Sequence, residues 1–224
     1  MRIHREGTNI LILLFAVLIA INVPVCLFMP PPVIPAACTA FSALTYGFVF
    51  NFFRCPRRTY RGQRENHVAS SVDGKVVAIE PTDESEYIKG KAMMLSVFMS
   101  PLNVHANWFP ADGTVEYIRH HKGRFLSAYL PKASTENERS TIGIICENGQ
   151  RITVRQIAGA MARRIVTYAR KGQRADIDDH LGFIKFGSRV DIYLPLDAEI
   201  LVKIGDRTVG GVTPIAKLKT QPRE

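Results

Sequence analysis

Residues 182–195 read GFIKFGSRVDIYLP. Apolar and β-favouring residues run along both arms of this stretch, and Gly187-Ser188 interrupts them. Glycine inside a strand pattern marks a bulge or a tight bend. The segment therefore predicts two strands, 183–186 and 190–194, parted by a strained Gly-Ser pair. Similar short runs recur at 93–99, 141–146, 152–157, 199–204 and 215–218. Asp-Gly lies between apolar residues in VDGKVV (72–77) and again in ADGTV (111–115), a turn or hairpin signal. The spacing predicts a compact, mainly antiparallel β domain. Residues 156–168 read as a short helix, because Ile157, Ala160, Met161, Ile165 and Val166 roughly follow a helical period.

No long Ser/Gly/Pro linker divides residues 68–218, so one β-rich domain is expected over 67–224. What precedes it is different. Residues 7–53 contain no Asp, Glu, Lys, Arg or His, although the 224-residue chain carries a net charge of +9. Residues 10–29 are apolar apart from Asn22, and twenty helical residues rise about 30 Å, the thickness of a bilayer core. Pro30-Pro31-Pro32 stops that helix. A second uncharged stretch, 33–53, is weaker, with Thr39, Ser42, Thr45 and Asn51. Together they predict a helical membrane hairpin. Arg2 and Arg5 before it, and Arg54, Arg57, Arg58, Arg61 and Arg64 after it, place both ends in the cytoplasm. A cleaved signal peptide explains the length poorly and leaves the second stretch unexplained. A re-entrant hairpin competes for 33–53. Residues 1–66 are thus taken as anchor and basic connector.

Charge outside the anchor is basic: 27 of the chain's 29 Lys and Arg lie beyond residue 53 (all but Arg2 and Arg5). Beside a membrane such cations gain about 1 kcal/mol each near anionic lipid. Nucleic-acid binding is disfavoured, since no recognition motif accompanies the charge. The four cysteines, Cys26, Cys38, Cys55 and Cys146, show no CxxC spacing, so a metal site and a disulfide framework lack support and reduced thiols are expected.

The sequence contains no GxxxxGK[ST], HExxH or GxSxG pattern and no GxGxxG after a strand. Three places remain for chemistry. At Gly187-Ser188, a serine hydroxyl in a strained turn can attack the preceding carbonyl, converting peptide to ester, and elimination then leaves a pyruvoyl group. A simple strand bulge is the plainer reading of the pair. In MSPLNVHAN (99–107), His105 follows a proline break and suits proton transfer near neutral pH. Asp73, at the first Asp-Gly, needs no function as a turn residue, but an acid there can orient a histidine.

FMSPLNVH (98–105), NER (137–139), QIAGAMARRI (156–165) and GFIKFGSRVDIYLP (182–195), in this order, resemble the phosphatidylserine decarboxylase family in its short form. FFRCPRR (52–58) before the VDGKV turn matches as well, and the likeness extends over nearly the whole chain. The resemblance implies a proenzyme that cuts itself between Gly187 and Ser188. The products are a β chain, 1–187, carrying the anchor, and an α chain, 188–224, beginning with a covalent pyruvoyl group derived from Ser188. It further implies antiparallel sheets woven from both chains, which stay together as an α/β heterodimer open to further oligomerisation. The pyruvoyl carbonyl forms a Schiff base with phosphatidylserine in the bilayer, carbon dioxide leaves, and phosphatidylethanolamine is released, with no metal. His105 matches the first histidine of the family block and handles the carboxylate or the proton. Asp73 matches the family's Asp-Gly acid. Longer members carry a second histidine at the position of Trp108, so the base for self-cleavage stays open between His105, His120, His121, His180 and strain alone. The resemblance places the enzyme at the inner cell membrane, catalytic domain on the cytoplasmic side. Two alternatives stand beside it: a membrane-anchored, lipoyl-like β-domain adaptor without activity, and a pyruvoyl decarboxylase acting on a soluble amino acid.

Overall fold

A computed structural model describes residues 2–29, 32–130, 132–160, 164–185 and 188–219. The chain forms two compact units, Met1–Arg57 and Arg58–Glu224.

The first unit contains β1 (Arg2–Ile3), α1 (Arg5–Phe28), α2 (Val33–Phe52) and β2 (Arg54–Cys55). Both helices are long and apolar enough to cross a membrane, and nearly all of each lies outside any protein core. Three of their polar side chains pair with one another. Asn22 donates to Ser42 Oγ at 2.8 Å, and Thr39 Oγ1 donates to Asn22 Oδ1 at 3.1 Å. Such pairing is what a hydrocarbon surrounding demands, since no water is there to satisfy an amide. The ring of Phe15 meets that of Tyr46 at 5.8 Å. Antiparallel pairing of β1 with β2 ties the two ends of the helical pair together. Two apolar helices of this kind are compatible with membrane association. Pro30 and Pro31, read as the hairpin turn, lie outside the described residues.

The second unit is built of short strands: β3 (His67–Ala69), β4 (Gly74–Glu84), β5 (Gly90–Met99), β6 (Ala106–Trp108) and β7 (Gly113–His121), then α3 (Ala133–Glu136). These are followed by β8 (Arg139–Cys146), β9 (Arg151–Ala158), β10 (Arg164–Thr167), β11 (Arg174–Ala175), β12 (His180–Lys185) and β13 (Ser188–Leu194). The last are β14 (Glu199–Ile200), β15 (Arg207–Thr208) and β16 (Pro214–Lys217). The large sheet has the order β11-β7-β8-β9-β13-β5-β4-β15, and two three-stranded sheets run β10-β12-β6 and β14-β16-β3. All of these strand pairs are antiparallel. The core between them is aliphatic, with Leu95, Val97, Ile142, Val154, Val190, Ile192 and Ile215 wholly buried. The architecture is the mainly β domain with a preceding apolar helical pair that the sequence predicts. Residues 188–219 enter both the large sheet, through β13 and β15, and the small β14-β16-β3 sheet.

Three local expectations are corrected. The helix read over residues 156–168 does not form: β9 runs through Ala158, and β10 occupies Arg164–Thr167. The helical spacing was a coincidence of two strands buried unequally, and β-branched Ile165-Val166-Thr167 favour the extended chain. Met161 lies outside the described residues. The Asp-Gly pairs do not close two-residue hairpins. Gly74 and Gly113 instead open the long strands β4 and β7 at places of close approach. A Cβ on Gly74 would stand 2.3 Å from the Phe98 carbonyl oxygen, and one on Gly113 would stand 2.2 Å from that of Ile145. The strand expected at 199–204 shrinks to Glu199–Ile200.

Candidate active site

Ser188 is the first residue of β13, whose neighbours in the sheet are β5 and β9. It faces Met99 on one side and Ala158 on the other, and it is fully buried. Side chains alternate along a strand, so Ser188 points to the same face as the core residues Val190, Ile192 and Leu194. Its hydroxyl donates to Met99 Sδ at 3.1 Å. Gly187, its partner in the expected cleavage pair, lies outside the described residues, as does Phe186.

His105 sits in the loop between β5 and β6 and is also fully buried. That loop is shaped by its own sequence. Asn103 Oδ1 accepts from the Ser100 amide at 2.9 Å and from the Ser100 hydroxyl at 2.8 Å, closing a turn around Pro101. His105 Nδ1 lies 3.0 Å from the Asn103 carbonyl, and its ring leans on Phe183 with centroids 6.4 Å apart. The His105 carbonyl accepts from the Ile184 amide at 3.3 Å. His105 is thereby fastened to β12, the strand that leads toward residue 188, while Met99 at the start of the same loop faces Ser188. The loop that carries His105 is thus attached to β13 at its Met99 end and to β12 at His105.

A buried chain of amides and hydroxyls supports that loop. Asn107 Nδ2 donates to the His105 carbonyl at 3.2 Å, Gln156 Nε2 donates to Asn107 Oδ1 at 2.5 Å, and Thr167 Oγ1 donates to Gln156 Oε1 at 2.7 Å. Asn107 and Gln156 have no solvent exposure. Buried amides are retained where their hydrogen bonds are met, and this pair meets them mutually. Sequence reasoning gave neither residue a role: Gln156 opens the stretch read as a helix, and Asn107 closes the 99–107 segment singled out for His105 alone.

On the opposite face of β13, Arg189 and Asp191 form a second buried polar group. Arg189 Nε donates to Asp191 Oδ1 at 2.7 Å and Nη2 to Oδ2 at 3.1 Å. Ser134 of α3 donates to Asp191 Oδ2 at 2.7 Å and also touches the guanidinium, whose Nη1 reaches the Leu130 carbonyl at 3.4 Å. Residues 189 and 191, just after position 188, are therefore tied to one another and to the 130–134 segment. Asn137 performs a similar task one strand away: its Nδ2 donates to Leu126 O at 2.8 Å and to Ala158 O at 2.7 Å, fixing the 122–138 segment beside the residue opposite Ser188.

Asp73 precedes β4 and is engaged by Arg58. The guanidinium makes two parallel bonds, at 2.5 and 2.9 Å, and the Gly210 amide donates to the same carboxylate at 2.9 Å. Arg58 also lies over the Trp108 ring at 4.4 Å, and that ring stands edge-on to His180 at 5.0 Å. The acid expected beside a histidine thus connects to His180 through Arg58 and Trp108. His121 and His120 belong to another cluster: His121 Nε2 is 2.7 Å from Glu86 and His120 Nε2 is 3.6 Å from Glu138. Burial pushes the Glu86 carboxyl up, but the His121 hydrogen bond and the Arg155 charge outweigh it and hold the pKa below its ordinary value.

A family model described as phosphatidylserine decarboxylase matches residues 45–216. The chain is 51% identical over 218 residues to a protein of Phocaeicola vulgatus, covering 97% of this chain and 96% of that one. Identity to a protein of Bacteroides fragilis is 52% over the same length, with the same coverage. A more distant relative from Amoebophilus asiaticus is 40% identical over 225 residues, the full length of both chains. All three relatives are named phosphatidylserine decarboxylase proenzyme.

Proposed function

The chain belongs to the phosphatidylserine decarboxylase family, and on that premise we propose that Gly187-Ser188 is the bond it cuts in itself and that Ser188 becomes its pyruvoyl group. Its reaction is the decarboxylation of phosphatidylserine to phosphatidylethanolamine, and the proenzyme name of its relatives fits a group made by cleavage. In the self-processing step the Ser188 hydroxyl adds to the Gly187 carbonyl and displaces the Ser188 nitrogen, giving an ester. Loss of the Ser188 Cα proton expels the Gly187 carboxylate. The resulting dehydroalanine takes up water and releases ammonia, leaving the ketoacyl end.

The observation that carries this reading is the position of Ser188: buried, first in a central strand, with His105 fastened to the strand that precedes it. A pyruvoyl group there supplies an electron sink for the carbon–carboxylate bond. The chain's own residues do the rest. His105, buried beside Phe183, holds the carboxylate or delivers the proton to the carbon it leaves. Asn107 and Gln156 keep the His105 loop in place. Asp73 holds Arg58 over Trp108 and so supports the wall on which His180 stands. The core around Met99 and Val190 excludes bulk water, which strengthens every charge interaction inside it.

Residues 67–224 are read as the catalytic domain and 1–66 as anchor and connector. The anchor lies in the cell membrane with the domain on the cytoplasmic side. The two apolar helices and the arginines flanking them support that orientation.

The test is the intact mass of the purified polypeptides. The reading expects two species, 1–187 and 188–224, the second lacking an ordinary amino terminus. Ser188→Ala is expected to remain one chain and to release no carbon dioxide from phosphatidylserine. An active preparation with the 187–188 bond unbroken overturns it.

A further inference from the structure

One row of cross-strand partners crosses the large sheet, from Lys75 through Phe98, Arg189, Ile157 and Arg139 to His121. Ser188 lies one residue beyond that row, at the end of the sheet where β5, β7 and β9 finish and β4, β8 and β13 begin. β15 also finishes there, since Thr208 faces Gly74. The connections leaving this end are unusual in what they expose. Leu102, after β5, is 65% exposed, and Tyr129, between β7 and β8, is 65% exposed. Phe125 and Leu130 in the same connection, and Val209 and Val212 after β15, are exposed as well. Single exposed apolar side chains are ordinary, but six of the nine large ones described in the β domain leave the sheet at one end.

Cations accompany them. Lys122, Arg124 and Lys132 are exposed in the same β7–β8 connection. Apolar tips fringed by lysine and arginine match a bilayer interface, where the tips enter the acyl boundary and the cations meet phosphate and anionic headgroups. The geometry points to this end of the sheet as a bilayer-docking surface. It seats the rim of the Ser188 site on the membrane, so that the headgroup of a lipid enters without its chains leaving the bilayer. The inference rests on the reading of Ser188 as the reacting residue. The occupant is the lipid surface, chosen because the substrate is itself a bilayer lipid with an acidic headgroup.

The test uses the full chain reconstituted in vesicles of phosphatidylcholine and long-chain phosphatidylserine. Leu102→Ser combined with Tyr129→Ser is assayed there and, separately, on dihexanoyl phosphatidylserine below its micelle concentration. The expected result is normal self-cleavage, a short-chain rate within about twofold of the parent, and a loss of about tenfold or more on vesicles. An unchanged vesicle rate, as for a surface that meets another protein, overturns the docking surface. So does an equal loss on both substrates, which marks damage to the site. Independently, Tyr129→Trp in vesicles of brominated lipid is expected to add a quenched emission to that of buried Trp108. Emission unaffected by bromine overturns the proposal. This readout stands whether or not the 187–188 bond is cut, so failure of the site reading is distinguishable from failure of the surface.

Discussion

Gln156 reaches from β9 to Asn107 at the foot of the His105 loop, and the two amides meet at 2.5 Å with no solvent around them. Gln156→Leu keeps the volume but leaves Asn107 Oδ1 without its donor, while the Thr167 hydroxyl retains Ser140 Oγ at 2.9 Å. An orphaned buried polar group costs about 1–3 kcal/mol. Thermal unfolding should show that loss. Steady-state assays should show kcat down about tenfold with KM little changed, because the loop that carries His105 loses its support. An unchanged kcat in a destabilised protein would reduce Gln156 to a packing residue.

His105→Ala is expected to separate the two chemistries. The variant should cut itself, since the Ser188 hydroxyl and the 187–188 bond are untouched. Carbon dioxide release should fall by about 10²–10⁴, the usual contribution of a positioned proton-transfer group. Electrophoresis and a radiolabelled carboxylate assay read the two steps separately. An uncut variant would put His105 in self-processing.

Arg189 and Asp191 predict a pattern of stabilities. Arg189→Met leaves the Asp191 carboxylate buried without its cation, a loss of about 3–5 kcal/mol. Pairing it with Asp191→Leu removes both charges, and most of the loss should return. Urea unfolding of each variant in the uncut Ser188→Ala background measures this as a single-chain transition. Equal destabilisation by the single and double changes would contradict it.

Glu86 gives a pH signature. Its pKa is depressed in the folded protein, so its contribution is complete above the unfolded value and is lost as pH falls through the folded one. The window therefore lies below about pH 4.3, the ordinary glutamate value. Glu86→Gln should flatten the acid limb of a stability profile there. An acid limb of the same slope in the variant would assign it to other carboxylates.

The apolar helices and most strands were legible because each shows its own pattern. Residues 7–53 lack charge altogether, 141–146 and 152–157 are compact runs rich in β-branched residues, and 93–99 is a short apolar run. The segment 156–168 misled because β9 is buried on both faces from Ile152 to Ala158, which erases the alternation that identifies a half-buried strand. In the candidate site, Ser188 and His105 stood out through the residue types the proposed chemistry requires. Asn107 and Gln156 did not, since an amide in an apolar run carries no mark until the strands bring its partner to it. Arg58 was hidden differently. It read as one cation in a membrane-facing connector, yet the structure spends it on Asp73, and Arg64 likewise bonds Asp112 and Asp176. Pairing across such sequence distances is a property of topology, which local patterns do not contain.

β13 is hydrogen-bonded on both flanks, to β5 and to β9. The proposed cut just ahead of it would leave both of those flanks paired, so the two pieces would stay folded together. Once cut, the molecule would carry a memory of its first folding. Unfolded and returned to native conditions, a protein divided there would have to reassemble from two pieces, at a rate that depends on dilution, whereas the uncut Ser188→Ala chain would refold alone. Recovery of activity after denaturant should vary with protein concentration in the one and not in the other.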